Sequence, residues 1–407
     1  MMTKSSQIDF RFLFLAAMLI FLPGVEALKN IFAFLFVISC ILIAKKNNDW
    51  GGRWQVIDSI FLMWILADII VSANAIITHQ LPGGGFRDII RFVLIGWALS
   101  RTNFSKKVFL NLALASIVGT IFTLAYSYYS TGGILKELHS VGHINHTAIF
   151  LLISYSISLS LFLFNFKNLN LSQKAFLIFA IIVLFTATVD SDSRATFGLI
   201  VFLTIIQFSY LLVRIKKTYL TIGFFGLLFC IGFLLIQNPP KALQRIQYQG
   251  LLPQEQSHRA KINNFSYYAF TKNPLLGIGF GNYSKLKIQD IQNLIIQDKG
   301  IFDSRLYSAA SHAHNVFYNY LVSGGILIFS IFIWFWFYIV WIIFKLRSTK
   351  ENDWIVLSSI SVLLINLGIG WVNTTLHHEH AILSMIVLGT LISEFRRAEH
   401  RKSLQLP

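Results

Sequence analysis

Three short polar stretches interrupt an otherwise apolar chain, and each contains a residue type that enzymes use for catalysis. The first is Asp190-Ser-Asp-Ser-Arg194-Ala-Thr196, the second is centred on Arg259, and the third contains His312 and His314. Arginine can hold an anionic group and stabilise the charge that develops on it. Histidine titrates near neutrality and can accept a proton from a hydroxyl group. Together these residue types suit the transfer of a group from a diphosphate to a hydroxyl.

Each stretch also has a structural explanation. An arginine such as Arg194, at a membrane boundary, can pair with Asp190 or Asp192 or extend to lipid headgroups. Arg259 taken alone would be an ordinary surface charge. His314 taken alone would be a histidine at the membrane interface. A catalytic role is favoured only when the three stretches are considered together.

The run Asn273-Pro-Leu-Leu-Gly277-Ile-Gly279-Phe-Gly281 follows Arg259 in the chain. Its three glycines favour a tight turn over a loop whose amides bind phosphate. No strand–helix unit surrounds the run, so it does not match a dinucleotide-binding fingerprint.

Several histidines raise the question of a metal. His312 and His314 have no third ligand nearby in the sequence, and His377-His-Glu-His380 is interpreted as a polar turn. The two cysteines, Cys40 and Cys230, lie inside apolar runs and indicate packed thiols. The sequence therefore predicts no metal centre and no cofactor.

Membrane-spanning helices are predicted to position these residues. Hydrophobic residues make up 55% of the 407 residues and charged residues 13%, whereas soluble domains carry about 25% charged residues. The apolar residues fall in runs of about 15 to 25, the length that crosses a hydrocarbon core of about 30 Å. A backbone in lipid must satisfy its own hydrogen bonds, so each run is predicted to be helical.

The predicted fold class is all-α, a polytopic integral membrane protein with about twelve transmembrane helices and one large periplasmic loop. The stretch 12–22 is predicted to remain as the first helix and not to be removed as a signal peptide. The twelve spans lie near residues 12–28, 31–44, 57–78, 88–100, 107–128, 147–165, 175–189, 195–213, 219–237, 315–344, 354–372 and 379–394.

The lysines and arginines between the spans set the predicted orientation. If the N-terminus is cytoplasmic, most of the 34 lysines and arginines fall in the inner segments, as the positive-inside rule requires. Both termini are therefore predicted to be cytoplasmic. The net charge of +16 follows from this distribution, and the basic residues form no single stripe that would suit nucleic acid.

One segment breaks the pattern of spans. Residues 1–237 contain the first nine spans, residues 238–314 form a long hydrophilic loop, and residues 315–407 contain the last three spans and a cytoplasmic tail. The apolar and aromatic residues of the loop predict ordered structure, and 259–272 fits an amphipathic helix. On this topology all three polar stretches lie at the outer face.

Further ionisable residues lie at or inside the predicted spans. Arg87 and Arg91 are one helical turn apart at the outer end of the fourth span. Arg91 would need a partner there, such as a lipid phosphate. Glu26 and Asp68 lie in or near apolar runs, where an ionisable group is a functional candidate by default.

In these residues the chain resembles the O-antigen ligase and polymerase superfamily of bacterial envelope enzymes. The resemblance is carried by Ser193-Arg194-Ala195-Thr196, by Arg259 ahead of the glycine run, and by His314-Asn315 followed by Gly324-Gly325. The layout of many spans with one late periplasmic loop matches over nearly the whole chain, and the motifs cover about residues 190–325.

The resemblance implies a metal-independent, inverting glycosyltransferase of the bacterial inner membrane with a periplasmic active site. Its donor would be a glycan on undecaprenyl diphosphate and, in the ligase branch, its acceptor a sugar hydroxyl of the lipid A core. Arg194 and Arg259 would bind the donor diphosphate, and His314 would activate or position the acceptor. Four more residues are predicted to bind substrate: Arg87, Arg91, His312 and Asn315.

Other functions stay open at this point. An O-antigen polymerase would extend the lipid-linked glycan, and a protein O-oligosaccharyltransferase is a more distant alternative. A polysaccharide transporter would place its polar residues near the membrane midplane. One shared outer cavity for Arg194, Arg259 and His314 would favour the enzyme, and scattered positions would exclude it.

Overall fold

The computed structural model describes residues 9–83, 85–133, 137–215, 239, 243–244, 257–298, 300–347 and 352–403. These ranges contain thirteen α-helices and no strand, which confirms the predicted fold class. The ninth predicted span, 219–237, lies outside the described residues. The helices are α1 (Phe10–Phe21), α2 (Glu26–Asn47), α3 (Val56–His79), α4 (Phe86–Ser100), α5 (Lys106–Ser130), α6 (Ile144–Asn165), α7 (Leu171–Asp190), α8 (Arg194–Ile215), α9 (His258–Lys272), α10 (Ile288–Gln297), α11 (Val316–Leu346), α12 (Asp353–Gly368) and α13 (His378–Ser403).

Eight of the described helices are long and apolar enough to cross a membrane, namely α2, α3, α5, α6, α7, α8, α11 and α12. Helix α1 has 12 residues and α4 has 15, and at 1.5 Å per residue neither covers a hydrocarbon core of about 30 Å. Both pack against longer helices, α1 on α2 and α5, and α4 on α13 and α3. The last predicted span lies within α13. Every predicted span inside the described ranges therefore overlaps a helix, although the first, 12–28, runs past the end of α1 into the start of α2. Not every helix is a full crossing.

The described part of the long loop is ordered, as predicted. It contains α9, which coincides with the predicted amphipathic helix, and α10. The two helices share a small hydrophobic core with the glycine run and with Val322 of α11, and Phe265, Ile291 and Ile295 are buried in it. Tyr267 and Leu275, two of the aromatic and apolar residues from which order in the loop was predicted, are exposed.

A buried carboxylate joins three helices at the end of the bundle that is predicted to face the cytoplasm. Asp58, near the start of α3, is fully buried. Its oxygens lie 2.6 Å from Arg101 at the end of α4 and 2.6 Å from Arg396 in α13. Residues from the predicted inner segments thus meet at one end of the bundle, as the predicted topology requires.

Replacing Asp58 with asparagine is expected to destabilise the protein by about 3–5 kcal/mol, because two arginines would lose their buried counter-charge. Thermal unfolding of the detergent-solubilised protein, followed by size-exclusion chromatography, measures the effect. Asp303→Asn is the matched control, because Asp303 pairs with the exposed Arg305 at the surface. Equal unfolding temperatures for the two variants would contradict the structural role of Asp58.

Candidate active site

The glycine run docks onto a break in α11. The helix leaves helical geometry at Gly325, which has a φ of 62°. The amides of Ile278 and Gly279 donate hydrogen bonds of 3.0 and 2.9 Å to carbonyls in the turn before the break, those of Val322 and Ser323. An interrupted helix in a membrane protein needs such replacement partners.

The glycines themselves are required by this docking. Gly277, Gly279 and Gly281 all have positive φ values, and a Cβ atom on Gly277 would lie 2.5 Å from the carbonyl carbon of Ser323. The predicted tight turn is confirmed. Because the Ile278 and Gly279 amides bind carbonyls of α11, they do not form a phosphate cradle.

Arg194 is the first residue of α8. The turn before it contains Asp192 in the left-handed conformation, with a φ of 63°. The carbonyl of Ser193 accepts hydrogen bonds of 3.0 Å from the Thr196 hydroxyl and the Phe197 amide, which fixes the helix start. The motif residues around Arg194 therefore fix the half-buried arginine at the N-terminus of α8.

Arg259 lies in the first turn of α9, which Ser257 caps by accepting a hydrogen bond from Ala260. Burial lowers the pKa of Arg259, and the positive charge of Arg194 lowers it further. Within the described ranges no carboxylate pairs with Arg259. No acidic residue lies in the first turn of α9, so the positive end of the helix dipole adds to the field. Two positive charges near enough to influence each other favour an anionic ligand.

His314 lies immediately before α11, with a left-handed φ of 49°. Burial lowers the pKa of His314 to about 4, and the nearby His312, Arg259 and His258 lower it in the same direction. A contact with Asn373 acts in the opposite direction. The imidazole is therefore neutral at pH 7 and able to accept a proton.

The three predicted catalytic residues come from separate elements but share one electrostatic neighbourhood. The charge of Arg194 lowers the pKa of Arg259, and the charge of Arg259 helps to lower the pKa of His314. They belong to α8, α9 and the start of α11. Two cationic side chains and a neutral imidazole thus share one part of the protein, and their roles in binding and catalysis stay predictions.

The four predicted substrate-binding residues are placed differently from one another. His312 lines a cavity of about 330 Å³ and lies 4.1 Å from His314 between ring centroids. Asn315 caps α11, since its side-chain oxygen accepts from the amides of Phe317 and Tyr318. Its side-chain nitrogen donates a hydrogen bond of 3.1 Å to the backbone carbonyl of Trp371. Both ends of the Asn315 side chain therefore have protein partners.

Arg91 and Arg87 lie in the first two turns of α4. Arg91 is half-buried and contacts Asn30 at 2.8 Å and Asp88 at 3.1 Å. The partner that the sequence required for Arg91 is therefore supplied by the protein. Arg87 is exposed on the same helix.

A cluster of histidines that sequence reasoning missed lies beside His312. His146, at the start of α6, is buried at its centre, with ring centroids 5.2 Å from His380 and 6.0 Å from both His312 and His377. Nothing local in the sequence around His146 indicated this contact, because its partners lie far along the chain.

The prediction of a polar turn at 377–380 is wrong for its last two residues. Glu379 and His380 are buried in the first turn of α13. Glu379 forms a buried ion pair with Lys29 of α2. The ion pair allows both charges to be buried and anchors the start of α13 against α2.

Two other ionisable residues singled out in the sequence have opposite surroundings. Glu26 is exposed, so its place in an apolar run does not bury it. Asp68 is fully buried, and neither of its carboxylate oxygens has a hydrogen-bond partner in the described part of the chain.

The fold and this site define a multi-pass helical membrane protein with an arginine and histidine site at one end of its bundle. Residues 176–333 match the model of a protein family described as O-Antigen ligase. The matched segment contains Arg194, Arg259 and His314, and it confirms the resemblance drawn from the motifs. It indicates an enzyme of O-antigen ligase or polymerase type in lipopolysaccharide biosynthesis. A search of curated proteins found no match.

Proposed function

We propose that the chain is an O-antigen ligase, an inverting glycosyltransferase that moves O-antigen polysaccharide from undecaprenyl diphosphate to the lipid A-core oligosaccharide. The observation that carries this proposal is the shared electrostatic neighbourhood of three residues: the charge of Arg194 lowers the pKa of Arg259, and the charge of Arg259 helps to lower the pKa of His314. A diphosphate is the leaving group of the proposed donor, and two guanidinium groups match its charge and geometry.

The proposed reaction is a single displacement. The acceptor hydroxyl oxygen attacks the anomeric carbon of the donor sugar while His314 takes the hydroxyl proton. The bond between that carbon and the diphosphate oxygen breaks, and undecaprenyl diphosphate leaves with the bonding electrons. Arg194 and Arg259 stabilise the charge that develops on the diphosphate, so the transfer itself needs no metal ion. Attack opposite the leaving group inverts the anomeric centre.

The site is proposed to face the periplasm of the bacterial inner membrane. Support comes from one end of the bundle, where Arg101 and Arg396, from two predicted inner segments, meet at Asp58. The outer compartment lacks ATP, so a preactivated lipid-linked donor supplies the driving force. Membrane lipid and the two lipid-linked substrates are the proposed partners.

A cysteine at Gln289, exposed on α10, is expected to react with a membrane-impermeant maleimide added outside the inner membrane. Both native cysteines would first be replaced by serine. A cysteine at Arg401, in the exposed part of α13, is the matched control and should react only after the membrane is permeabilised. The reverse pattern of labelling would invert the proposed topology.

The value of kcat/KM is expected to stay constant from about pH 8 down to about pH 5 and to fall only near pH 4. The pKa of His314 is lowered from 6.5 to about 4 by burial, with His312, Arg259 and His258 acting in the same direction. The base form therefore persists until the pH drops through that lowered value. Rates measured on reconstituted protein, with recovery checked at pH 7, test this. An acidic limb near pH 6.5 would contradict a buried His314 acting as base.

An O-antigen polymerase would use the same donor and the same arginines. The difference lies in the acceptor, which would be another lipid-linked glycan. The family match covers both kinds of enzyme. A strain lacking the chain separates them, because loss of polymerase leaves a single repeat unit on the core, whereas loss of ligase leaves the core bare.

A further inference from the structure

A carboxylate and two histidines converge beside the proposed active site. Asp88 of α4, His377 and His378 each contribute one ligand atom, and these three atoms lie within 4.8 Å of one another. The His377 and His378 ring centroids are 3.6 Å apart. Asp88 is remote from both in the sequence, which is why the sequence alone predicted no metal centre.

The backbone around the two histidines is strained in a way that brings their rings together. Leu376 and His378, on either side of His377, both have left-handed φ values of 51°. Side chains other than glycine rarely adopt this conformation, and where they do, the surrounding structure usually serves a function. The left-handed turns allow two consecutive rings to face the same space.

Buried contacts of the two following residues, Glu379 and His380, hold this turn in place. His380, which is fully buried, accepts a hydrogen bond of 3.4 Å from the backbone amide of His377. Glu379, which lies between His378 and His380, is anchored by its ion pair with Lys29. The Nδ1 atom of His377 is buried and has no hydrogen-bond partner among the described residues. A buried nitrogen of this kind is costly unless a ligand satisfies it.

The charges around the three residues are compatible with a cation. Arg91 binds one carboxylate oxygen of Asp88 at 3.1 Å, and a carboxylate offers two oxygens. Lys29 is neutralised by Glu379. Asp88, His377 and His378 also line the cavity of about 330 Å³ that His312 borders, so an ion bound there could take a fourth ligand from the cavity.

We propose that Asp88, His377 and His378 form a binding site for a divalent transition-metal ion, with zinc the cation that this ligand set suits best. Two imidazole nitrogens and one carboxylate oxygen are zinc ligands, and three protein ligands leave an open position. Bonds of about 2.0–2.2 Å to zinc place ligand atoms roughly 3.3 Å apart, so small side-chain rotations complete the site. The ion would tie the start of α4 to the start of α13 and fix one wall of the cavity.

The test is zinc titration of the purified full-length protein in detergent, stripped of metal and carrying an affinity tag without histidine. The wild-type chain should bind one equivalent of zinc, and its unfolding temperature should rise on binding. Asp88→Asn, His377→Gln and His378→Gln should each weaken binding about tenfold or more. His139→Gln is the matched control, because His139 is exposed and outside the cluster.

Absence of saturable binding by the wild-type chain would overturn the proposal. So would equal affinity in all the variants, which would assign the zinc to other histidines. Cobalt substitution of the wild-type chain decides the matter even if a variant fails to fold. Strong visible bands of low-coordinate cobalt that zinc displaces would support the site, and the weak spectrum of hydrated cobalt would overturn it.

Discussion

Replacing Arg259 with alanine is expected to reduce glycan transfer by about 100- to 1,000-fold, the usual effect of removing one group that stabilises transition-state charge. The charge of Arg194 lowers the pKa of Arg259, and in the described ranges Arg259 has no carboxylate partner. Its removal therefore leaves only one of the two arginines that are proposed to stabilise the negative charge on the leaving diphosphate. Arg194→Ala should have a loss of similar size. Rates are measured with lipid-linked donor and lipid A-core acceptor in reconstituted membranes.

Two further variants sharpen this prediction. Arg259→Lys keeps the charge but loses the planar guanidinium, so it should recover only part of the lost rate. Arg305→Ala is the matched control, because Arg305 lies in the same loop but is exposed, and its rate should equal that of the wild type. Wild-type rates in both Arg194→Ala and Arg259→Ala would show that the diphosphate binds elsewhere.

Replacing His314 with alanine is expected to lower the rate by about 10²- to 10⁴-fold, the contribution of a positioned general base. The loss should appear in kcat, with donor affinity retained, because the arginines and not the histidine would hold the diphosphate. His314→Asn provides a second variant that suits the backbone, since asparagine tolerates the left-handed conformation found at this position.

His139→Ala serves as the control for a histidine outside the site and should leave the rate unchanged. A His314→Asn protein that is folded and transfers glycan at the wild-type rate would remove His314 from the mechanism. A variant that loses donor affinity together with rate would instead assign His314 to diphosphate binding.

Much of the fold could be predicted because lipid imposes a simple rule on the backbone. Each apolar run within the described ranges is helical, and the glycine run makes the tight turn that its composition indicated. The end of α1 was less predictable, since the first predicted span runs to residue 28 and α1 ends at Phe21. That end depends on packing against neighbouring helices, whereas hydropathy reports only the apolar length.

The site was predictable only in part. The motifs predicted Arg194, Arg259 and His314 as site residues, and in the structure their charges influence one another. The contacts of His146 with the distant histidines, and of Lys29 with Glu379, could not be predicted. They join residues far apart in the chain, so they depend on which helices are neighbours, and no local pattern encodes that.

The structure also shows protein partners for polar residues that the sequence placed in the site or at the surface. Asn315 was predicted to bind substrate; its side-chain oxygen accepts a hydrogen bond from an amide at the start of α11, and its side-chain nitrogen donates to the Trp371 carbonyl after α12. The residues 377–380 were interpreted as a surface turn, yet Glu379 and His380 are buried. In both cases a polar residue has its partner inside the protein, which composition alone does not indicate.

The central claim is that this chain attaches O-antigen to the lipid A core. The most direct measurement is the lipopolysaccharide of a strain lacking the chain, compared with the same strain carrying either the wild-type protein or Arg259→Ala. We expect loss of the O-antigen ladder and accumulation of lipid-linked polymer, with recovery by the wild type only. An unchanged ladder in the deletion strain, or core carrying a single repeat unit, would contradict ligase function.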